Sequence, residues 1–197
     1  MATTVTAELT PRTDTTPAVA DVPARDRSGP HWVARFPGSA NLDDLEPGFR
    51  ANAVAFINAI KACGASVRIA ATYRPRERAY MMHYSSKIAR GMIAADKVPA
   101  MDGVNIDWVH DTPDASKKAA AAMAKAFTIV YPPALISRHT ERAAIDMKVS
   151  GIVGKTIKDA SGNDVDIKKA DDLHAVGATF GVRKLASDPP HWSDNGR

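Results

Sequence analysis

Two short stretches of the chain set imidazole beside carboxylate in settings that ordinary packing does not explain. The first is Ser137-Arg138-His139-Thr140-Glu141-Arg142-Ala143-Ala144-Ile145-Asp146. From Ala144 to Val149 the residues alternate: Ile145, Met147 and Val149 share one face of a strand, and Ala144, Asp146 and Lys148 share the other. Asp146 therefore points away from the apolar side. His139 lies seven residues earlier, and seven extended residues would span roughly 23 Å. Thr140-Glu141-Arg142 must turn back if both side chains are to meet one ion; these residues permit that turn without dictating it. The second stretch is Asp188-Pro189-Pro190-His191-Trp192. Two prolines favour polyproline II, which repeats every three residues, so Asp188 and His191 are expected on one side of a stiff rod.

Two histidines and a carboxylate, with a fourth position left to water, form a catalytic zinc set. His139, Asp146 and His191 are the candidate ligands and Zn2+ the candidate cofactor. Such an ion lowers the pKa of its water to about 7 and polarises a carbonyl. Asp188 is placed to accept the water's proton and pass it to a leaving amine. A cation near the developing oxyanion completes the set, and Arg74 is the candidate.

Several elements must position these groups. Phe49, Ala53, Phe56, Ile57 and Ile60 recur at helical spacing, with Gly64 as a stop. Val67 to Tyr73 reads as a strand, and Pro75 opens a helix from Arg76 to about Arg90, which leaves Arg74 at a strand-to-helix junction. A third helix is expected from the Thr112 cap and Pro113 to about Phe127, and a last one from Lys169 to Phe180. Leu135 to Ser137 looks extended. Thr156-Ile157 and Val165-Asp166-Ile167 flank the turn-forming residues 159–164, a hairpin signal. Helices first and strands later, without regular alternation, predict α+β with a central antiparallel sheet, its zinc cleft on the face opposite the main helices.

At this point the residues resemble a known family. Ser137-x-His139-x(4)-Ala144-x-Asp146 is similar to the SxHxxGxAxD motif of the D-Ala-D-Ala metallopeptidases, whose fold is shared with lysostaphin-type peptidases and the hedgehog signalling domain. Asp188-Pro-Pro-His191-Trp192 resembles the second motif of that family, and Tyr73-Arg74-Pro75 its upstream Tyr-Arg-Pro element; the three occur in the family order over about 120 residues. The resemblance implies zinc on His139, Asp146 and His191, Asp188 as base and Arg74 supporting the oxyanion. Ser137, Tyr73 and Trp192, which complete the motifs, are the candidate substrate contacts. Arg142 stands where the family motif has glycine. An Asp, rather than Glu, ahead of the last histidine looks more like phage endolysins that cut the L-Ala-D-Glu bond of the peptidoglycan stem peptide. A D-Ala-D-Ala carboxypeptidase or dipeptidase is the alternative, and a zinc-containing wall-binding module without turnover a third.

The bulk properties bound these readings. With 197 residues, 45% hydrophobic and 24% charged, the chain suits one catalytic domain, expected over 30–197, after a Thr-, Ala- and Pro-rich tail, expected to be disordered, over 1–29. A net charge of +4 without a basic run favours approach to a polyanion such as the cell wall, and no recognition-helix motif or basic stripe points to nucleic acid. The lone Cys63 excludes an internal disulfide and Cys-rich zinc sites. No apolar run is long enough to insert in a membrane. Nor does a basic stretch followed by an apolar one open the chain, so synthesis in the cytoplasm without a signal peptide is expected, with action on the wall after holin-type or other release. Bacterial peptidoglycan is the expected partner, and a monomer the expected state. His31, His83, His110 and His174 read as packed or surface residues, and the acids at 159, 164 and 166 as a solvated turn rather than a calcium loop.

Overall fold

A computed structural model of the chain describes residues 25–130 and 132–197. The tail expected over 1–29 lies outside the described residues as far as position 24. Beyond it, β1 (Asp26–Arg27) pairs in parallel with β3 (Ile106–Asp107), and the Trp32 indole donates to Arg27 O at 3.0 Å. The folded unit thus takes in residues that composition alone assigned to the tail.

Helix α1 (Pro47–Ala62) starts where Glu46 caps it: one carboxylate oxygen accepts from Gly48 N at 3.0 Å and the other from Phe49 N at 2.9 Å. Its buried stripe is the expected Phe49, Ala53, Phe56, Ile57 and Ile60, and the chain leaves it through Gly64 at φ 79°. Strand β2 (Ser66–Ala71) follows, then α2 (Arg76–Ala89) with Pro75 as its cap residue. Helix α3 (Pro113–Ala126) has the expected Thr112 cap, whose hydroxyl accepts from Ala115 N at 3.1 Å.

The sheet that matters for chemistry is built later in the chain. β4 (Ala144–Ser150) lies between β2 and β8 (His191–Ser193), and β7 (Arg183–Lys184) closes the far edge; every pairing is antiparallel. A separate hairpin, β5 (Thr156–Lys158) with β6 (Asp164–Asp166), matches the expected turn. There Asp159 accepts from Ser161 N at 2.8 Å and Asn163 N at 2.9 Å, so that carboxylate serves the turn itself. The last helix, α4 (Asp172–Thr179), is shorter than expected because the Asp172 carboxylate binds the amides of Lys168 and Lys169, turning the chain before the helix begins.

Two apolar cores result. One lies between the sheet and helices α1 and α4, and contains Phe56, Ile60, Ile145, Met147, Val176 and Trp192. The other joins α2 to α3 and contains Trp32, Tyr80, Met81, Trp108 and Met123. Full burial of each such side chain contributes roughly 1.5–3 kcal/mol. The architecture is mixed helix and sheet, in agreement with α+β. Helices α1 and α4 cover one sheet face, leaving the other to the cleft; α2 and α3 instead stand beside that cleft as a wall. Residues 135–137, expected to be extended, join no strand, and 135 and 136 form a bend. Pro132 and Pro133 just ahead of them lack the N–H groups that a ladder requires.

Candidate metal centre

Strand register brings the first two candidate ligands together. Asp146 on β4 pairs with His191 on β8, and Ile145 pairs with Trp192. Because side chains alternate across a strand, Asp146 and His191 share the open face while Ile145 and Trp192 enter the core. Trp192 is 4% exposed, its ring 5.4 Å from that of Phe56. The expectation that Trp192 contacts substrate is therefore corrected: the residue next to a cleft ligand on a strand faces the other way.

His139 arrives by the turn that the sequence left open. Thr140 N donates to Ser137 O at 2.9 Å, Arg142 N to His139 O at 3.3 Å and Ala143 N to Arg138 O at 2.9 Å. Arg142 sits at φ 61°, the left-handed region that glycine prefers. The turn is also held from outside. Arg138 pairs with both Asp194 and Glu141, and Arg74 N donates to His139 O at 3.2 Å. Arg74 itself follows from the β2–α2 junction, as expected.

The three ligand atoms form a nearly equilateral triangle. His139 Nε2 lies 3.1 Å from Asp146 Oδ1 and 3.2 Å from His191 Nδ1, and His191 Nδ1 lies 3.2 Å from Asp146 Oδ1. Tetrahedral zinc with bonds of about 2.0–2.1 Å requires ligand separations of about 3.3–3.4 Å. The remaining ring nitrogens show which lone pairs are free. His139 Nδ1 lies 2.9 Å from Thr72 O, and His191 Nε2 lies 3.0 Å from the main-chain oxygen of Arg197. A carbonyl oxygen only accepts, so each of these nitrogens carries the hydrogen and its partner nitrogen presents a lone pair. Two imidazole lone pairs and a carboxylate oxygen converge with no proton between them. That arrangement is repulsive until a cation sits among them, so the residues fit a metal ion. Among the described residues this is the single group of three His, Cys, Asp or Glu side chains close enough to hold an ion.

The triangle lies in a cleft of about 750 Å³ also lined by Tyr73, Arg74, Ser137 and Asp188. Burial draws the Arg74 pKa below its ordinary value, and the negative charges of Asp146 and Asp188 oppose that pull. Asp188 is exposed at the rim. The polyproline rod expected between Asp188 and His191 is replaced by a turn: His191 N donates to Asp188 O at 3.0 Å, and Asp188 N to Leu185 O at 3.1 Å. Proline suits the second position of such a turn as well as it suits a rod. Both side chains still line one cleft. The Ser137 hydroxyl is buried and has no hydrogen-bond partner among the described residues.

Some contributors carried no sequence signal. Lys184 Nζ donates to the main-chain oxygens of Leu185, Asp188 and His191, tying the turn that carries both Asp188 and His191. Thr72 matters through its carbonyl, which any residue would supply. Compared with known proteins, the chain matches no family model and no curated protein. No helix among the described residues is long and apolar enough to cross a membrane.

Proposed function

We propose that the chain is a zinc peptidase that hydrolyses a peptide bond in the stem peptide of bacterial peptidoglycan, between L-Ala and D-Glu. The observation that carries this reading is the convergence of three unshared electron pairs, within 3.1–3.2 Å of one another, beside a half-buried cation and an acid at the rim. His139, Asp146 and His191 would hold the ion, leaving one coordination position toward the cleft. Zinc bound there supplies Lewis acidity, which makes water nucleophilic near neutral pH and polarises a carbonyl.

The chain's own residues do the rest. The Arg74 guanidinium makes no hydrogen bond or ion pair among the described residues, so its donors are available to oxygen that gains charge in the transition state. Asp188 takes a proton from the attacking water and returns it to the departing amine. Ser137 and Tyr73 line the cleft beside the ligands. An isolated structural zinc would need no such neighbours, which favours hydrolysis over a binding module. The resemblance of Tyr73-Arg74-Pro75, Ser137-x-His139 and Asp188-Pro-Pro-His191 to the D-Ala-D-Ala metallopeptidases supplies the substrate class, and with it the hedgehog/DD-peptidase type of fold. The Asp at 188 supplies the preference for the endopeptidase branch.

Metal analysis of the purified protein, paired with mass spectrometry of digested muropeptides, tests this. One zinc per chain and fragments cut after L-Ala are expected. Release of terminal D-Ala alone would move the activity to the carboxypeptidase branch. Sacculus binding without cleavage would make the domain a wall-binding module.

A further inference from the structure

We infer that Arg142 is a positioning residue, holding the Tyr73 ring in place as a wall of the cleft. Its backbone stands at φ 61°, a conformation unfavourable for any side chain beyond glycine. Such a residue persists where its surroundings over-determine it, and the contacts of Arg142 run in three directions. Its carbonyl accepts from Glu46 N at 2.8 Å, joining the turn to the cap of α1. Its Nη1 donates to Asp44 O at 2.9 Å and lies 3.8 Å from the Asp44 carboxylate. Its guanidinium carbon lies 3.8 Å from the centre of the Tyr73 ring.

The third contact bears on function. Tyr73 lines the cleft, and its hydroxyl makes no hydrogen bond among the described residues. Nor does any aromatic ring stack on it there, so the flat guanidinium, itself anchored on Asp44, is the group that orients the phenol. Glycine at 142 would relax the backbone and keep the turn, yet it would leave Tyr73 free to rotate. The arginine trades local ease for a fixed wall. Its side chain acts through Tyr73 and touches none of the candidate ligands, while the main-chain bond from Arg142 N to His139 O survives substitution, so loss of the side chain should weaken substrate binding and spare the ion.

The kinetic half of this inference rests on the peptidase reading; the spectroscopic half does not. The full chain carries four tyrosines, and with 3-fluorotyrosine incorporated, Tyr73 is assigned by its absence in Y73F. In R142G the Tyr73 19F signal should shift and narrow, and KM for a muropeptide should rise about threefold to tenfold while kcat stays within about twofold. Zinc affinity, read by chelator competition, should be unchanged. R142K should restore part of both effects. An unchanged Tyr73 signal in R142G would overturn the inference, and so would a fall in zinc affinity as large as the rise in KM, which would make Arg142 a support of the ligand turn. If the parent protein cuts no muropeptide, the peptidase reading fails while the Tyr73 signal still decides the role of Arg142.

Discussion

The two cores divide the labour of the site. The sheet core, with α1 and α4 behind it, stands behind β4 and β8 and so sets two of the candidate ligands directly; the third, His139, hangs on a turn pinned to the same sheet. The helical core of α2 and α3 holds no ligand. Its helix α2 begins two residues after Arg74 and carries Arg78, whose guanidinium donates to Val33 O and Phe36 O and lies over the Phe127 ring. One half of the molecule therefore builds the candidate ion site, and the other helps place the cation that faces it. Ion binding should depend on the first half alone, and turnover on both.

The sharpest test removes a ligand. His139→Ala should abolish tight zinc binding and lower muropeptide cleavage on the order of 10³-fold or more, the several kcal/mol that a Lewis acid contributes. A folded variant that still cuts at the parent rate would sink the peptidase assignment. Next comes the acid at the rim: Asp188→Asn should keep zinc and reduce kcat by roughly 10²- to 10⁴-fold, as expected for loss of a general base. Arg74→Ala should also keep zinc, with a loss of roughly 10²- to 10³-fold. Equal zinc affinity in these two variants and the parent, measured by chelator competition, would sharpen the division; a shared loss would break it. The smallest effect lies in the helical core. There the Tyr80 hydroxyl donates to Pro99 O at 2.8 Å and accepts from the Trp108 indole at 3.1 Å. Tyr80→Phe strands both partners and should cost about 1–3 kcal/mol in denaturant melts, without altering zinc affinity. If zinc affinity fell along with stability, the two cores would form one cooperative unit.

The sequence was most legible where a single periodicity decided the outcome. Alternation over 144–149 placed Asp146 on the open face; apolar spacing ending at Gly64 placed α1, Pro75 marked the start of α2, and the Thr112 cap with Pro113 placed α3. It was less legible where a motif admits two backbones. Asp188-Pro189-Pro190-His191 suits a rod by composition and is a turn, since proline restricts φ in both. Trp192 followed the motif into the candidate site but follows strand alternation into the core. The two-residue pair of β1 and β3 is too short to leave a pattern in the chain. Lys184 reaches main-chain oxygens, and such contacts depend on tertiary placement rather than on residue type at a fixed spacing. The split into two cores was equally hidden, because apolar residues of both kinds look alike in one dimension.

The anchoring of His139 on Thr72 O has a consequence for how this centre tolerates change over generations. The acceptor is a peptide oxygen, present whichever amino acid occupies position 72. Drift at that codon can disturb the hydroxyl that reaches Asn41 O at 2.8 Å, and with it some stability, but it leaves the imidazole's proton where it is. The ring's readiness to receive an ion is thus written into the path of the main chain and buffered against the commonest kind of mutation.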